Sequence, residues 1–181
     1  RSTSYLPLPT RKWITRCETN GRMPFQWTIN PYRGCEFGCQ YCYARYTHEF
    51  LELRDPRLFE TRIFAKQFDP AAFRRELTAI PRGDAIAIGT ATDPYQPAES
   101  RYRLTGQLLE ILAGERGRRF SLITKSNLIA RDAALLALIG RHNLLYVHLT
   151  VTTMDTQLAR LLEPRAPRPD LRIRGLEQLT G

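Results

Sequence analysis

Residues 25–45, FQWTINPYRGCEFGCQYCYAR, join an apolar stretch to a loop that holds three of the chain's four cysteines. FQWTIN is rich in β-branched and aromatic side chains and reads as a short strand over 25–30. It runs straight into Cys35, Cys39 and Cys42, separated by three residues and then by two. Gly34 and Gly38 relieve steric limits on the backbone, so three thiolates from one short loop can converge on one metal centre. A disulfide framework normally spreads an even set of cysteines over a small exported chain. Here the spacing is tight and no export signal is visible, so metal or cluster binding in a reducing, cytoplasmic compartment is expected.

Two kinds of centre fit the spacing. A structural zinc ion needs four ligands, and His48 or Cys17 would have to supply the fourth. An iron–sulfur cube that only carries electrons also takes four protein ligands. With three, one iron is left open to a substrate or cofactor, as in catalytic metal sites generally.

Downstream of the loop, short apolar runs alternate with amphipathic ones. TRIFAK (61–66) reads as a strand, and DPAAFRRELTAI as a helix with Asp69 at its N-cap and Pro70 at its first position. DAIAIGT (84–90) is a buried strand and residues 100–114 a helix. RFSLITKS is a strand, RDAALLALIG a helix capped by Asp132 and stopped by Gly140, and LLYVHLTV a strand. MDTQLARLLEP is a helix starting at Asp155, and PDLRIRGLEQLTG a last one N-capped by Asp170. Residues 1–24 show no sustained period and read as an irregular N-terminal segment; 25–181 read as one α/β core. Four strand–helix alternations argue for parallel strands with right-handed crossovers, either a doubly wound sheet or part of a (β/α) barrel. In both, ligands meet the C-terminal ends of the strands. The loops expected there are the cysteine loop, TATDPYQPAE, TKSN and TTMD.

The 181 residues, 43% hydrophobic and 25% charged, suit one domain with a real core. No apolar run approaches the ~18 residues of a membrane span, so no membrane partner is expected. A net charge of +9 favours an anionic partner such as nucleic acid, nucleotide or acidic protein, although the arginines are scattered rather than blocked.

The run Cys35-Glu-Phe-Gly-Cys39-Gln-Tyr41-Cys42 resembles the signature of radical S-adenosyl-L-methionine (radical SAM) enzymes, including the aromatic before the third cysteine. NPYRGCEFGCQYCYARYTHEF, GTATDPYQPAE, LITKSNLIARD and TVTTMDTQLARLLEPRAP together look like the spore photoproduct lyase-related branch, from about residue 19 onward. The resemblance implies an α/β partial (β/α) barrel of the radical SAM type, truncated to about four β/α units. It implies a [4Fe–4S] cluster on Cys35, Cys39 and Cys42, whose open iron takes the methionine end of SAM. Reductive cleavage of SAM then yields a 5′-deoxyadenosyl radical that abstracts hydrogen, with the electron coming from a low-potential donor of flavodoxin or ferredoxin type.

By the same resemblance Tyr41 lies beside the adenine. Lys125 pairs with the SAM carboxylate or a ribose oxygen, and Thr150 contacts the methionine end or ribose. Residues 90–93, with Thr92 and Asp93, meet the amino group; Asp93 before Pro94 also reads as a plain turn residue. Glu99 reads as a helix N-terminal charge, and Arg33 and Arg45, flanking the cysteines, as solvated.

This chain departs from that branch in one respect. The lyases carry a hydrogen-donating cysteine in the loop after the second strand, where GTATD has none, and Cys17 is the one spare thiol. The thymine-dimer reaction therefore does not carry over, no catalytic residue is assigned, and the substrate is left open, nucleic-acid lesion repair being one expectation. A cluster-bearing electron-transfer or redox-sensing protein would need Cys17 or His48 as fourth ligand; a zinc-dependent nucleic-acid-binding module is a third reading. With only about four units, an exposed sheet edge is expected on the C-terminal side.

Overall fold

The computed structural model describes residues 2–17 and 23–180. Two sheets are formed. Ser4–Leu8 (β1) and Arg62–Lys66 (β5) pair in parallel, and Tyr32–Arg33 (β4) adds to β5 antiparallel, giving the order β1-β5-β4. The larger sheet contains Ile14–Arg16 (β2), Trp27–Ile29 (β3), Ala85–Ile88 (β6), Arg119–Thr124 (β7) and Leu144–Leu149 (β8), in order β2-β3-β6-β7-β8. β3, β6, β7 and β8 run parallel, and β2 is antiparallel to β3. Helix follows β6, β7 and β8, and it follows β3 by way of β4 and the cysteine loop, after which comes the short helix Leu58–Thr61 (α1), as the alternation predicts for four units of a partial barrel.

Ile29, Ile86, Ile88, Phe120 and Leu122 point to one face of this sheet. Phe73 and Leu77 of Pro70–Thr78 (α2), Leu108 and Leu112 of Leu104–Leu112 (α4), and Leu136 and Ile139 of Ala133–His142 (α5) close over them. Side chains alternate along a strand, so Thr28, Ala85, Ala87, Ser121, Ile123, Tyr146 and His148 share the opposite face. Among the described residues β8 pairs only with β7, the open edge the unit count leads one to expect.

Several details differ from the sequence expectation. The N-terminal segment read as irregular holds β1 and β2, and Trp13 and Ile14 lie in the main core. Both strands are too short for a period to register, and Pro7 is tolerated because β1 is an edge strand. TRIFAK is a strand, but it belongs to the smaller sheet. The expected 100–114 helix is two, Ala98–Tyr102 (α3) and α4, broken at Arg103 with φ 51°. Glu99, buried in α3, accepts from the backbone N–H groups of Thr105 and Gly106, so its carboxylate caps the next helix rather than its own. Asp69 and Asp155 cap α2 and Thr156–Leu162 (α6) through their side chains. Asp132 makes no such cap bond: its carboxylate accepts from Tyr95 and Arg131 instead, and α5 runs through Gly140 to His142. Asp170 sits inside the first turn of Pro169–Thr180 (α7) and pairs with Arg168, so it is not the N-cap.

Candidate cofactor site

Gly34 has φ +82°, and a Cβ there would lie 2.8 Å from the carbonyl oxygens of Phe59 and Arg62. Only glycine allows the chain to turn this tightly as it enters the cysteine loop. The loop is then held from several sides. Cys35 N–H donates to Phe59 O at 2.8 Å, Gln40 N–H to Leu162 O at 2.8 Å, and Arg165 N–H to Phe37 O at 3.2 Å. Arg45, expected to be solvated, donates to Cys39 O at 2.8 Å and pairs with Glu60 at 2.6 Å. Gln96, fully buried, donates to Gly34 O and accepts from Glu36 N–H. Glu36 in turn accepts from Tyr5 and from Ala98 N–H.

Cys35, Cys39 and Cys42 line one cavity of about 130 Å³ together with Tyr41, Tyr43, residues 89–93, Ile123, Thr124, Lys125 and Thr150. Every strand-end loop anticipated from the sequence contributes except the TTMD stretch itself, which enters through Thr150 just before it. The volume is near that of an engineered cavity that takes up benzene, which suits a cluster-sized group better than a lone ion. Among the described residues, no three or more His, Cys, Asp or Glu side chains are disposed to hold a single metal ion. A cube spreads its thiolates over separate irons and so holds them further apart than one ion does.

His48 is not available as a fourth ligand. It is fully buried between Phe59 and Phe64, and its Nε2 lies 3.1 Å from Arg62 O. Burial lowers its pKa. Cys17 packs beside Phe25 and Ala85 at the N-terminal end of β3 and is not among the residues that line the cavity.

Burial raises the thiol pKa of Cys35, and that of Cys39 to about 11. Thiols held protonated by burial become ligands when a cationic centre enters and displaces their protons.

The other anticipated residues divide in two. The Tyr41 hydroxyl meets Glu163 Oε1 and lies 3.1 Å from Thr152 Oγ1, and its ring lies 5.7 Å from Lys125 Nζ. Burial disfavours the Lys125 ammonium, but Cys39, Tyr41, Glu163 and Asp93 outweigh it and its pKa is raised. Thr150 faces the same cavity. Thr92 and Asp93 line it too, but their polar atoms are already engaged. Thr92 Oγ1 donates to Tyr32 O at 3.1 Å. Asp93 accepts from Thr124 Oγ1 at 2.7 Å, Lys125 N–H at 2.7 Å and Tyr95 N–H at 2.9 Å, which ties the loop after β6 to the loop after β7. Burial raises its pKa against these bonds.

Glu163 and Arg172 escaped the sequence reading. Each is 2% exposed or less; they form an ion pair at 2.6 Å. Nothing local marks them, since Glu163 reads as a helix-end acid and Arg172 as one more scattered arginine.

Three thiols in one loop at the C-terminal end of a parallel sheet thus share a cavity with Tyr41 of the same loop and with Lys125 from the loop after β7. The chain belongs to the radical SAM superfamily, whose family model matches residues 29–180. It is 38% identical over 152 residues to an uncharacterized protein of Mycobacterium tuberculosis, covering 83% of this chain and 44% of that one. An uncharacterized protein of Methanocaldococcus jannaschii is 26% identical over 154 residues, covering 85% and 55%. Among solved structures, a spore photoproduct lyase mutant superposes with TM-score 0.69 at 15% identity, over 98% of this chain and 48% of that one. A mutant of that lyase with bound AdoMet and dinucleoside spore photoproduct gives TM-score 0.64 at 16% identity, over 98% and 48%. The fold is thus shared with spore photoproduct lyase, and the chain spans about half the length of the relatives it matches. The family's cofactors are a [4Fe–4S] cluster and SAM, and the donor set around the cavity fits both. No helix among the described residues is long and apolar enough to cross a membrane.

Proposed function

We propose that this chain carries the SAM-cleaving site of a radical SAM enzyme, with Cys35, Cys39 and Cys42 as the three cluster ligands. The observation that carries this is the meeting of those thiols with Tyr41, Lys125 and Thr150 around one cavity. When bound, the cluster and SAM supply reductive cleavage to a 5′-deoxyadenosyl radical, which takes a hydrogen atom from substrate. The protein's part is to bind and orient. Lys125 offers a cation to the SAM carboxylate, Tyr41 a place beside the adenine, chiefly through its backbone, and Thr150 a hydroxyl to the ribose or methionine end. Asp93 acts by tying the loop after β6 to the loop after β7, and Thr92 by tying the loop after β6 to Tyr32 in β4, since their polar atoms bond to protein. An electron-carrier role for a four-ligand cluster has less support, because His48 and Cys17 lie outside the cavity.

The substrate reading is a nucleic acid. Its support is the +9 charge and the shared fold with a lyase whose structure holds a dinucleoside spore photoproduct. A reducing cytoplasm and a low-potential donor of flavodoxin or ferredoxin type complete the proposal, because the thiols must stay reduced to hold iron and reductive cleavage of SAM consumes an electron.

The test is anaerobic reconstitution with iron and sulfide, then addition of SAM and a strong reductant. The expected product is 5′-deoxyadenosine, lost in Cys39→Ala. An iron-loaded protein, in the longer form its relatives represent, that never cleaves SAM would overturn the reading. For the substrate class, DNA affinity is expected to fall steeply with salt, and affinity flat in salt would remove the support of the charge.

A further inference from the structure

We propose that Glu163, paired with Arg172, is a positioning residue that aims Lys125 and Tyr41 into the cofactor cavity. This rests on the radical SAM reading of that cavity. Oε1 of Glu163 accepts from Tyr41 and, at 2.8 Å, from Thr152, with Lys125 Nζ at 4.0 Å. Oε2 pairs with Arg172 at 2.6 Å. Arg172 donates onward to Thr150 O at 3.0 Å and Pro167 O at 2.7 Å. One carboxylate and one guanidinium therefore touch the three cofactor-facing positions, through the side chains of Tyr41 and Lys125 and the backbone of Thr150.

The environment fits a single ionised, fixed carboxylate. Burial opposes its charge, but hydrogen bonds from Tyr41, Thr152 and Arg172 hold its carboxyl below the usual range. A buried ion pair adds little net stability, and an apolar pair often does as well. What this pair does supply is direction. Tyr41 is 51% exposed and Lys125 is a flexible stem, so neither is held by packing alone. The Lys125 ammonium lies 5.7 Å from the Tyr41 ring centroid and 4.0 Å from Glu163 Oε1, and Lys125 lines the cavity.

The test uses a paired change. Glu163→Gln alone would leave the Arg172 guanidinium buried without its carboxylate, so E163Q is combined with R172Q. The chain has three lysines, Lys12, Lys66 and Lys125. Reductive methylation with a carbon-13 label gives each an NMR signal, and K125M assigns that of Lys125. In the paired variant the Lys125 signal is expected to move while those of Lys12 and Lys66 stay. SAM affinity of reconstituted protein is expected to weaken roughly tenfold in the paired variant and in K125M, and no more than about twofold further when all are combined. An unmoved Lys125 signal, or losses that multiply to about a hundredfold, would overturn the proposal, since a purely structural pair acts independently of Lys125. A wild-type chain that binds no SAM would count against the radical SAM reading, and the Lys125 signal, read without SAM, would still decide the positioning role.

Discussion

Gln96 holds both peptide groups that flank Cys35. Its Nε2 donates to Gly34 O at 3.0 Å and its Oε1 accepts from Glu36 N–H at 3.1 Å, with the side chain fully buried. Gln96→Leu keeps the volume and strands two buried backbone groups. The expected loss is roughly 2–6 kcal/mol, at about 1–3 kcal/mol for each of the two unsatisfied groups. Urea denaturation measures it, and iron bound per chain is expected to fall with it. Unchanged stability would show that the loop does not need this clamp.

Gly34 and Gly83 make a contrasting pair. A Cβ at Gly34 meets two backbone oxygens at 2.8 Å in a left-handed conformation, and one at Gly83 meets nothing within 4 Å. Gly34→Ala is expected to cost about 1–3 kcal/mol and to lower iron incorporation. Gly83→Ala is expected to be neutral within about 0.5 kcal/mol. Thermal melting of both, side by side, separates local strain from a general intolerance of alanine.

Asp93 gives a separation of a different kind. Asp93→Asn puts an amide N–H against the N–H of Lys125 or the hydroxyl of Thr124, which now donate to a carboxylate. The loops after β6 and β7 lose their tie, while the cysteine loop keeps its own anchors. SAM affinity is expected to drop about tenfold with iron content unchanged. Iron lost in step with SAM would mean that Asp93 supports the thiols directly.

Stability is expected to respond to acid through His48. Burial lowers its folded pKa, so on acidification the unfolded chain takes up a proton first. The folded state then loses stability as pH falls below about 6.5, the ordinary histidine value, and regains it as pH rises. Melting temperatures between pH 7 and 5 for wild type and His48→Gln check this; the variant is expected to show the shallower slope. Equal slopes would assign the acid response to other groups.

The parts of the site that sequence made legible are those whose chemistry is local. Cys35, Cys39 and Cys42 declare themselves by spacing, and Lys125 and Thr150 by standing at the ends of recognisable strands. What stayed hidden depends on partners far along the chain. Gln96 meets residues 34 and 36, and Glu163 meets residue 41, with no periodic signal linking them. Glu99 carried a readable role, a charge at a helix start, but attached itself to the following helix once the chain broke at Arg103. β1 and β2 were hidden for a different reason: strands of five and three residues gain their identity from pairing, not from their own pattern.

The distance between Tyr41 and its acceptor along the chain also has a meaning in time. Glu163 and Arg172 leave the ribosome long after the cysteines do, by roughly 6 to 26 seconds at ordinary rates of synthesis. During that interval the thiols are outside the ribosome while the groups that orient Tyr41 do not yet exist. Iron loaded early would sit in a half-built pocket, open to oxidants. The cavity that Tyr41 and Lys125 share is therefore complete only after the stretch ending at Arg172 has docked, which places any cofactor's entry late in the making of the protein.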